Sequence, residues 1–167
     1  MGLSGVGKST IGRRLAASLG MPFRDADAEV EIAAGRPIAE IFQNYGEQAF
    51  RDGERRVIAR LLTEAPHVLA TGGGAFMNPK TRALIKEKAV SVWLKADIEV
   101  LARRVSRKES RPLLAGKDPI DVLTEQARDR YPAYAEADIT VETGDVPHQV
   151  AVDAIVQALN ARQGAAA

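Results

Sequence analysis

The sequence contains no cysteine, which excludes a disulfide scaffold, a Cys-based zinc site and a thiol nucleophile. It has only two histidines, His67 and His148, so a His-rich metal centre is not expected and neither residue is assigned a catalytic part. No run of about 18 apolar residues occurs and no signal-peptide pattern opens the chain, so a soluble, cytoplasmic protein without membrane contact is expected. Neither sign of charge prevails: 23 basic residues face 22 acidic ones, a net charge of +1. That balance excludes a protein that holds nucleic acid by bulk charge, and equally an acidic disordered tail. The basic residues are skewed toward arginine, sixteen against seven lysines. Arginine is the side chain suited to forked recognition of phosphate and carboxylate.

What is present fits one domain spanning 1–167, with 46% hydrophobic residues to build a core. A glycine-rich loop over Gly2–Gly7 precedes a helix over Ser9–Leu19, whose Ile11, Leu15 and Leu19 form one stripe. A short strand over Pro22–Asp25 leads into helices over Ala28–Ala34, Ile38–Asn44 and Glu47–Thr63. Gly53 inside the last of these costs about 1 kcal/mol relative to alanine. Further strands are read at Val68–Thr71, Ala89–Leu94 and Ile139–Glu142. Helices are read at Pro79–Lys88, Ile98–Val105, Pro119–Ala135 (disturbed at Pro132) and Pro147–Ala161, and the tail Gln163–Ala167 is expected to fray. Strands alternating with helices imply an α/β fold: three layers, α/β/α, around a central parallel sheet, with ligands beyond the carboxyl ends of the strands. A phosphate loop normally follows a buried central strand. Here the loop begins at Met1–Gly2, so that strand is missing and its neighbours are expected to lack a partner.

Gly2-Leu3-Ser4-Gly5-Val6-Gly7-Lys8-Ser9 fits G-x-x-x-x-G-K-[ST] at every fixed position. Such a loop wraps phosphates with backbone N–H groups at a helix start; Lys8 would reach the β and γ phosphates and Ser9 would ligate Mg²⁺. Asp25 and Asp27 stand two apart at a strand end, where alternation puts both carboxylates on one side if the extended run persists. The alternative is a solvated pair capping the next helix. Arg51 and Glu54 form either an ordinary i,i+3 surface pair, worth about 0.2–0.5 kcal/mol, or part of a site. Gly72-Gly73-Gly74 after a strand suggests close approach of a ligand to backbone, with a plain flexible turn as the alternative. Ser106–Lys117 is polar and basic, holding Arg107, Lys108, Arg111 and Lys117 just after Arg103 and Arg104. With no aromatics interleaved, a phosphate-clamping lid fits it better than a nucleic-acid patch. Arg130, before Tyr131-Pro132, is a further candidate anion binder. Trp93 reads as core, and Tyr45, Tyr131 and Tyr134 give no independent signal.

Taken together, the chain resembles the shikimate kinase family, a member of the nucleoside-monophosphate-kinase-like P-loop NTPase group. The resemblance rests on Gly5–Gly12, Phe23–Asp27, Gly35–Phe42, Gly46–Glu54, Ala70–Ala75, Arg111–Leu114 and Arg130–Tyr134, in family order and spacing. It implies transfer of the γ-phosphoryl of ATP to the 3-hydroxyl of shikimate, within aromatic amino-acid biosynthesis. It implies that Gly5, Val6, Gly7, Lys8, Ser9 and Thr10 hold ATP phosphates, with Ser9 on Mg²⁺ and Asp25 assisting the metal through water. Asp27, Arg51, Gly73 and its neighbours Gly72 and Gly74, and Arg130 would bind shikimate. Asp27 would hold the reacting hydroxyl as its base, and Glu54 would orient Arg51. Arg111 would swing in from a lid over about 106–117, Arg104 would lie against adenine, and a helical region over about 27–60 would carry the acceptor. The loop Thr143–Pro147 lacks the basic residue the family often shows beside adenine. A monomer is expected.

A gluconate-type sugar kinase shares the phosphate loop, but the two arginines with the triple glycine argue against it. A GTPase should show D-x-x-G and N-K-x-D, and neither occurs. A catalytically impaired nucleotide-binding relative should have lost Lys8, Asp27 or Arg111, and all three are present.

Overall fold

Helix α1 (Lys8–Leu19) starts where the phosphate loop ends, and Gly7 is its N-cap at φ 91°, ψ 24°. That left-handed conformation is one a side chain resists, so the last loop glycine is what lets the chain turn into the helix. Of the expected stripe of α1, Ile11 and Leu15 are buried and Leu19 is partly buried against the same core, while Ala16 is buried beside them. The structure, a computed structural model, describes residues 1–107 and 117–166.

Strand β1 (Phe23–Asp25) runs parallel to β2 (Val68–Ala70), with Phe23 opposite Val68 and Asp25 opposite Ala70. Strand β3 (Val92–Lys95) runs parallel to β4 (Ile139–Glu142), with Val92 opposite Ile139. Among the described residues the strands form these two parallel pairs rather than one continuous sheet. Met1 lies along the edge of β3: its amino group donates to the Val92 carbonyl at 2.8 Å, and Leu94 N–H donates to the Met1 carbonyl at 2.9 Å.

The remaining helices are α2 (Ala26–Ala34), α3 (Ile38–Leu61), α4 (Pro79–Lys88), α5 (Ile98–Ser106), α6 (Pro119–Tyr134) and α7 (His148–Ala166), with a 3-10 turn at Ala75–Met77 before α4. The main core gathers Leu3, Val6, Ile11, Ile58, Phe76, Trp93, Leu101, Leu123, Tyr134 and Val152. A second cluster of Val30, Ile41, Phe50, Val57 and Leu61 joins α2 to α3. Helix α3 therefore serves both, and the packing fixes how it faces the strand ends.

Several local expectations change. The two helices read at 38–44 and 47–63 are present, but no loop separates them: they meet at a kink where Gly46 takes φ 79°, ψ 173° within Ile38–Leu61. The helix passes through Gly53, where an added β-carbon would meet nothing within 4 Å; no packing requires a glycine there. Pro132 lacks the N–H that would bond the Arg128 carbonyl, yet α6 runs on past it for two residues to Tyr134. Helix α7 runs past the expected end at Ala161, as far as Ala166. The expected strand residue Thr71 lies just past β2.

Candidate active site

The phosphate loop is shaped by what its glycines leave out. A β-carbon on Gly2 would stand 2.5 Å from the Leu94 carbonyl, and one on Gly5 3.0 Å from Val105 Cγ2 and 3.1 Å from the Leu101 carbonyl. Val6, wholly buried, pins the loop to the core, so only its backbone is available to an anion. Lys8 Nζ donates to the carbonyls of Gly2 and Leu3, each at 3.0 Å, and so stays folded over the loop that it ends. Ser9 and Thr10 follow in the first turn of α1, where the helix N-terminus favours negative charge.

Ser9 Oγ donates to Asp25 Oδ2 at 3.2 Å. Asp25 closes β1 and caps α2, its Oδ1 accepting from the Asp27 N–H at 3.0 Å. The extended run therefore does not persist: Asp27 sits in the first turn of α2, and the strand alternation expected for the pair is overturned by the cap. The chain turns into a helix because an aspartate at this position satisfies a free N–H. Asp27 is accessible at the rim, yet the protein around its carboxyl partly desolvates it. That burial pushes its pKa up, and the Asp25 charge pushes it further, while Lys8 and Arg51 pull it down. Water reaching the rim tempers the shift without changing its sign.

The three glycines form the meeting point. None has a positive φ, so the backbone conformation itself does not demand glycine. Space does. A β-carbon on Gly72 would stand 3.4 Å from Glu54 Oε1 and 3.5 Å from Asp27 Oδ1. On Gly73 it would stand 2.6 Å from Arg130 Nη1, 2.8 Å from Tyr134 Oη and 3.3 Å from the Gly2 carbonyl. On Gly74 it would lie 2.5 Å from the Arg51 guanidinium. One bare loop thus lies against side chains of α2, α3 and α6 and against the phosphate loop.

Arg51 and Glu54 are more than a surface pair. Arg51 Nη1 donates to Glu54 Oε2 at 2.8 Å, and Glu54 is only 2% exposed. Burial raises the Glu54 pKa, and the hydrogen bond and charge of Arg51 oppose that rise. Glu54 Oε1 is buried and has no hydrogen-bond partner among the described residues. Glu47 lies 3.4 Å from Arg51 Nε, and the guanidinium carbon lies 5.0 Å from the centre of the Phe50 ring.

Arg104 donates to the Gly5 carbonyl at 3.3 Å and to the Gly144 carbonyl, tying the phosphate loop to the β4–α7 connection. Beside it, Arg103 pairs with Asp145 at 2.6 Å. Arg111 and most of the expected lid lie outside the described residues. Two residues that the sequence reading set aside reach the site's loops. His148 Nε2 lies 2.8 Å from where a Gly7 β-carbon would be, and Tyr134 Oη donates to the Gly73 carbonyl at 2.6 Å. The overlooked signal for Tyr134 was its spacing of one helical turn after Arg130; nothing in the sequence points to His148.

Comparison with known proteins identifies the family. The family model described as "Shikimate kinase" covers residues 4–160. A shikimate kinase of Caulobacter vibrioides is 75% identical over 159 residues, covering 95% of this chain and 80% of that protein. One from Bradyrhizobium diazoefficiens is 56% identical, covering 96% and 78%. Among solved structures, the shikimate kinase from Acinetobacter baumannii in complex with shikimate superposes with a TM-score of 0.90 at 36% identity, covering 96% of this chain and 90% of that one. With a phosphate loop, a capped aspartate pair and a glycine hub meeting two arginines, the chain belongs to the shikimate kinase family, enzymes that are ATP-dependent kinases.

Proposed function

We propose that the chain transfers the γ-phosphoryl group of ATP to the 3-hydroxyl of shikimate, releasing ADP and shikimate 3-phosphate. The observation that carries this reading is the convergence at Gly72–Gly74. A carboxylate on α2, two guanidinium groups from α3 and α6, and the carbonyl side of the phosphate loop all meet one loop with no side chains. Such a set suits a small polyol that carries a carboxylate.

Each residue then has a part. Arg51 and Arg130 grip the acceptor carboxylate, and Glu54 holds Arg51 from its buried side. Gly73, with Gly72 and Gly74 beside it, lets the acceptor approach the backbone. Asp27 accepts the proton of the reacting hydroxyl as its oxygen bonds to phosphorus and the bond to ADP breaks. The upward shift of its pKa by burial makes it a better acceptor than an ordinary aspartate. Gly5, Val6, Gly7 and Thr10 hold the ATP phosphates with their backbone, and Lys8 leaves its two carbonyls to meet the phosphate charge. Arg111 closes over the transferring group and Arg104 lies on the adenine side.

The Ser9 hydroxyl and Asp25 carboxylate fit Mg²⁺, a hard cation that takes oxygen donors and keeps much of its water. No group of three or more His, Cys, Asp or Glu lies together among the described residues. Bound Mg²⁺ would neutralise phosphate charge as it shifts in transfer. Positioning and charge neutralisation supply most of the rate. The protein is proposed to act as a soluble monomer; no helix among the described residues is long and apolar enough to cross a membrane.

A coupled ADP-release assay tests the reading, with shikimate, gluconate and nucleoside monophosphates offered as acceptors. Release with shikimate alone is expected. Equal release with every acceptor overturns the assignment, and release with gluconate alone moves it to the sugar-kinase alternative.

A further inference from the structure

Tyr134 is wholly buried at the last turn of α6, and its hydroxyl donates to the Gly73 carbonyl at 2.6 Å. Its ring is held by aromatic neighbours, with Trp93 at 5.9 Å and Tyr131 at 6.3 Å between ring centres. Arg130 lies one helical turn earlier, so α6 presents a cation and a hydroxyl along one face to the same glycine. The neighbouring carbonyls have partners from their own turn: Ala75 N–H donates to Gly72 and Met77 N–H to Gly74. The Gly73 carbonyl instead depends on a residue 61 positions away.

We propose that Tyr134 is a positioning residue for the acceptor: its hydroxyl locks the Gly73 peptide and so sets the distance between the glycine loop and Arg130. This rests on the acceptor site proposed above. Three successive glycines lose more conformational freedom on ordering than any other tripeptide, so a loop built of them needs an outside tie to hold one shape. The peptide unit is planar, and fixing the Gly73 carbonyl fixes the orientation of the Gly74 N–H with it. Burial raises the Tyr134 pKa, which keeps the phenol protonated and donating. A hydroxyl that set only stability would treat both substrates alike. One that positions the acceptor loop acts on shikimate and leaves ATP alone.

The test uses the full chain and Tyr134→Phe, which keeps the ring and removes the hydroxyl. Tyr131→Phe serves as the packing control. Loss of one buried hydrogen bond is expected to raise the shikimate KM about fivefold to tenfold in Tyr134→Phe, with the ATP KM within about twofold of wild type. Tyr131→Phe is expected to leave both values near wild type. An unchanged shikimate KM in Tyr134→Phe overturns the proposal, as does an equal rise for both substrates or an equal effect of the two variants. Should Tyr134→Phe not fold, difluorotyrosine at position 134 keeps the packing while altering donor strength. A shikimate KM moved by about twofold or more then supports the proposal, and an unmoved one overturns it. Wild-type protein that releases no ADP with shikimate sinks the acceptor assignment itself, and this proposal with it; wild-type turnover with an unresponsive position 134 sinks this proposal alone.

Discussion

The Arg51 guanidinium passes across Gly74 so closely that a β-carbon there would stand 2.5 Å from Nη1, Nη2 and the guanidinium carbon alike. Gly74 itself takes φ −81°, ψ −21°, a conformation open to any residue. Gly74→Ala therefore costs little in backbone terms, and its effect falls on Arg51. A shift of about an ångström in a group that orients substrate costs up to about a hundredfold. We expect the shikimate KM to rise between about tenfold and a hundredfold, with ATP binding retained. A wild-type shikimate KM in Gly74→Ala would contradict the place given to Arg51.

Asp27→Asn is expected to lower turnover by about two to four orders of magnitude while ATP still binds, since it removes the proton acceptor and little of the shape. Kinetics beside an equilibrium ATP titration separates the two. Turnover like that of wild type would refute the role.

The pH dependence follows from the same carboxyl. Its pKa is raised by burial and by Asp25, so the acid limb of kcat/KM lies above the range of an ordinary aspartate. For stability the sign is the opposite of a salt-bridged acid. The folded state holds this proton more tightly than the unfolded chain, so stability falls as pH rises through the folded-state pKa. Asparagine mimics the protonated form. Asp27→Asn is therefore expected to melt above wild type at neutral pH, with the gap closing as pH drops below the ordinary carboxylate range. Thermal melts across pH check this, and a gap that widens toward acid contradicts it.

Arg104→Ala removes the tie between the Gly5 and Gly144 carbonyls. Hydrogen bonds from a charged donor are worth roughly 1.5–3 kcal/mol, and Arg104 is part-buried. We expect the ATP KM to rise about tenfold and the shikimate KM to move less than about twofold. An equal change in both would mean that the tie serves the whole domain rather than the nucleotide side.

Arg111→Ala is expected to lower kcat by about a hundredfold or more while the shikimate Kd stays within about threefold, because its charge is needed only as the phosphoryl group moves. Stopped-flow turnover set against calorimetric titration distinguishes this from a binding role, in which the Kd would shift and kcat would hold.

Along the chain, the features spelled by adjacent residues were open to reading. Gly2–Ser9 carries its chemistry in consecutive positions, and Gly7 at positive φ opens α1 where the motif says it should. The break at Gly46 and the burial of Trp93 were likewise visible in local pattern. The Asp25–Asp27 geometry was not: a strand and a capped helix both suit that dipeptide spacing, and the hydrogen bond from Asp27 N–H decides for the helix.

The amino-acid order by itself determined the phosphate loop, the helix–strand alternation and the inventory of arginines and acids, because each depends on neighbours in the chain. Only the tertiary structure decided that Glu54 is buried, that Arg51 and Arg130 press on successive glycines, and that Tyr134 reaches Gly73. Those relations join segments tens of residues apart, and they exist because β1 pairs with β2 and because α3 and α6 pack against the core with one face rather than another. A helix face is chosen by the sum of its buried contacts, which no short stretch of sequence contains.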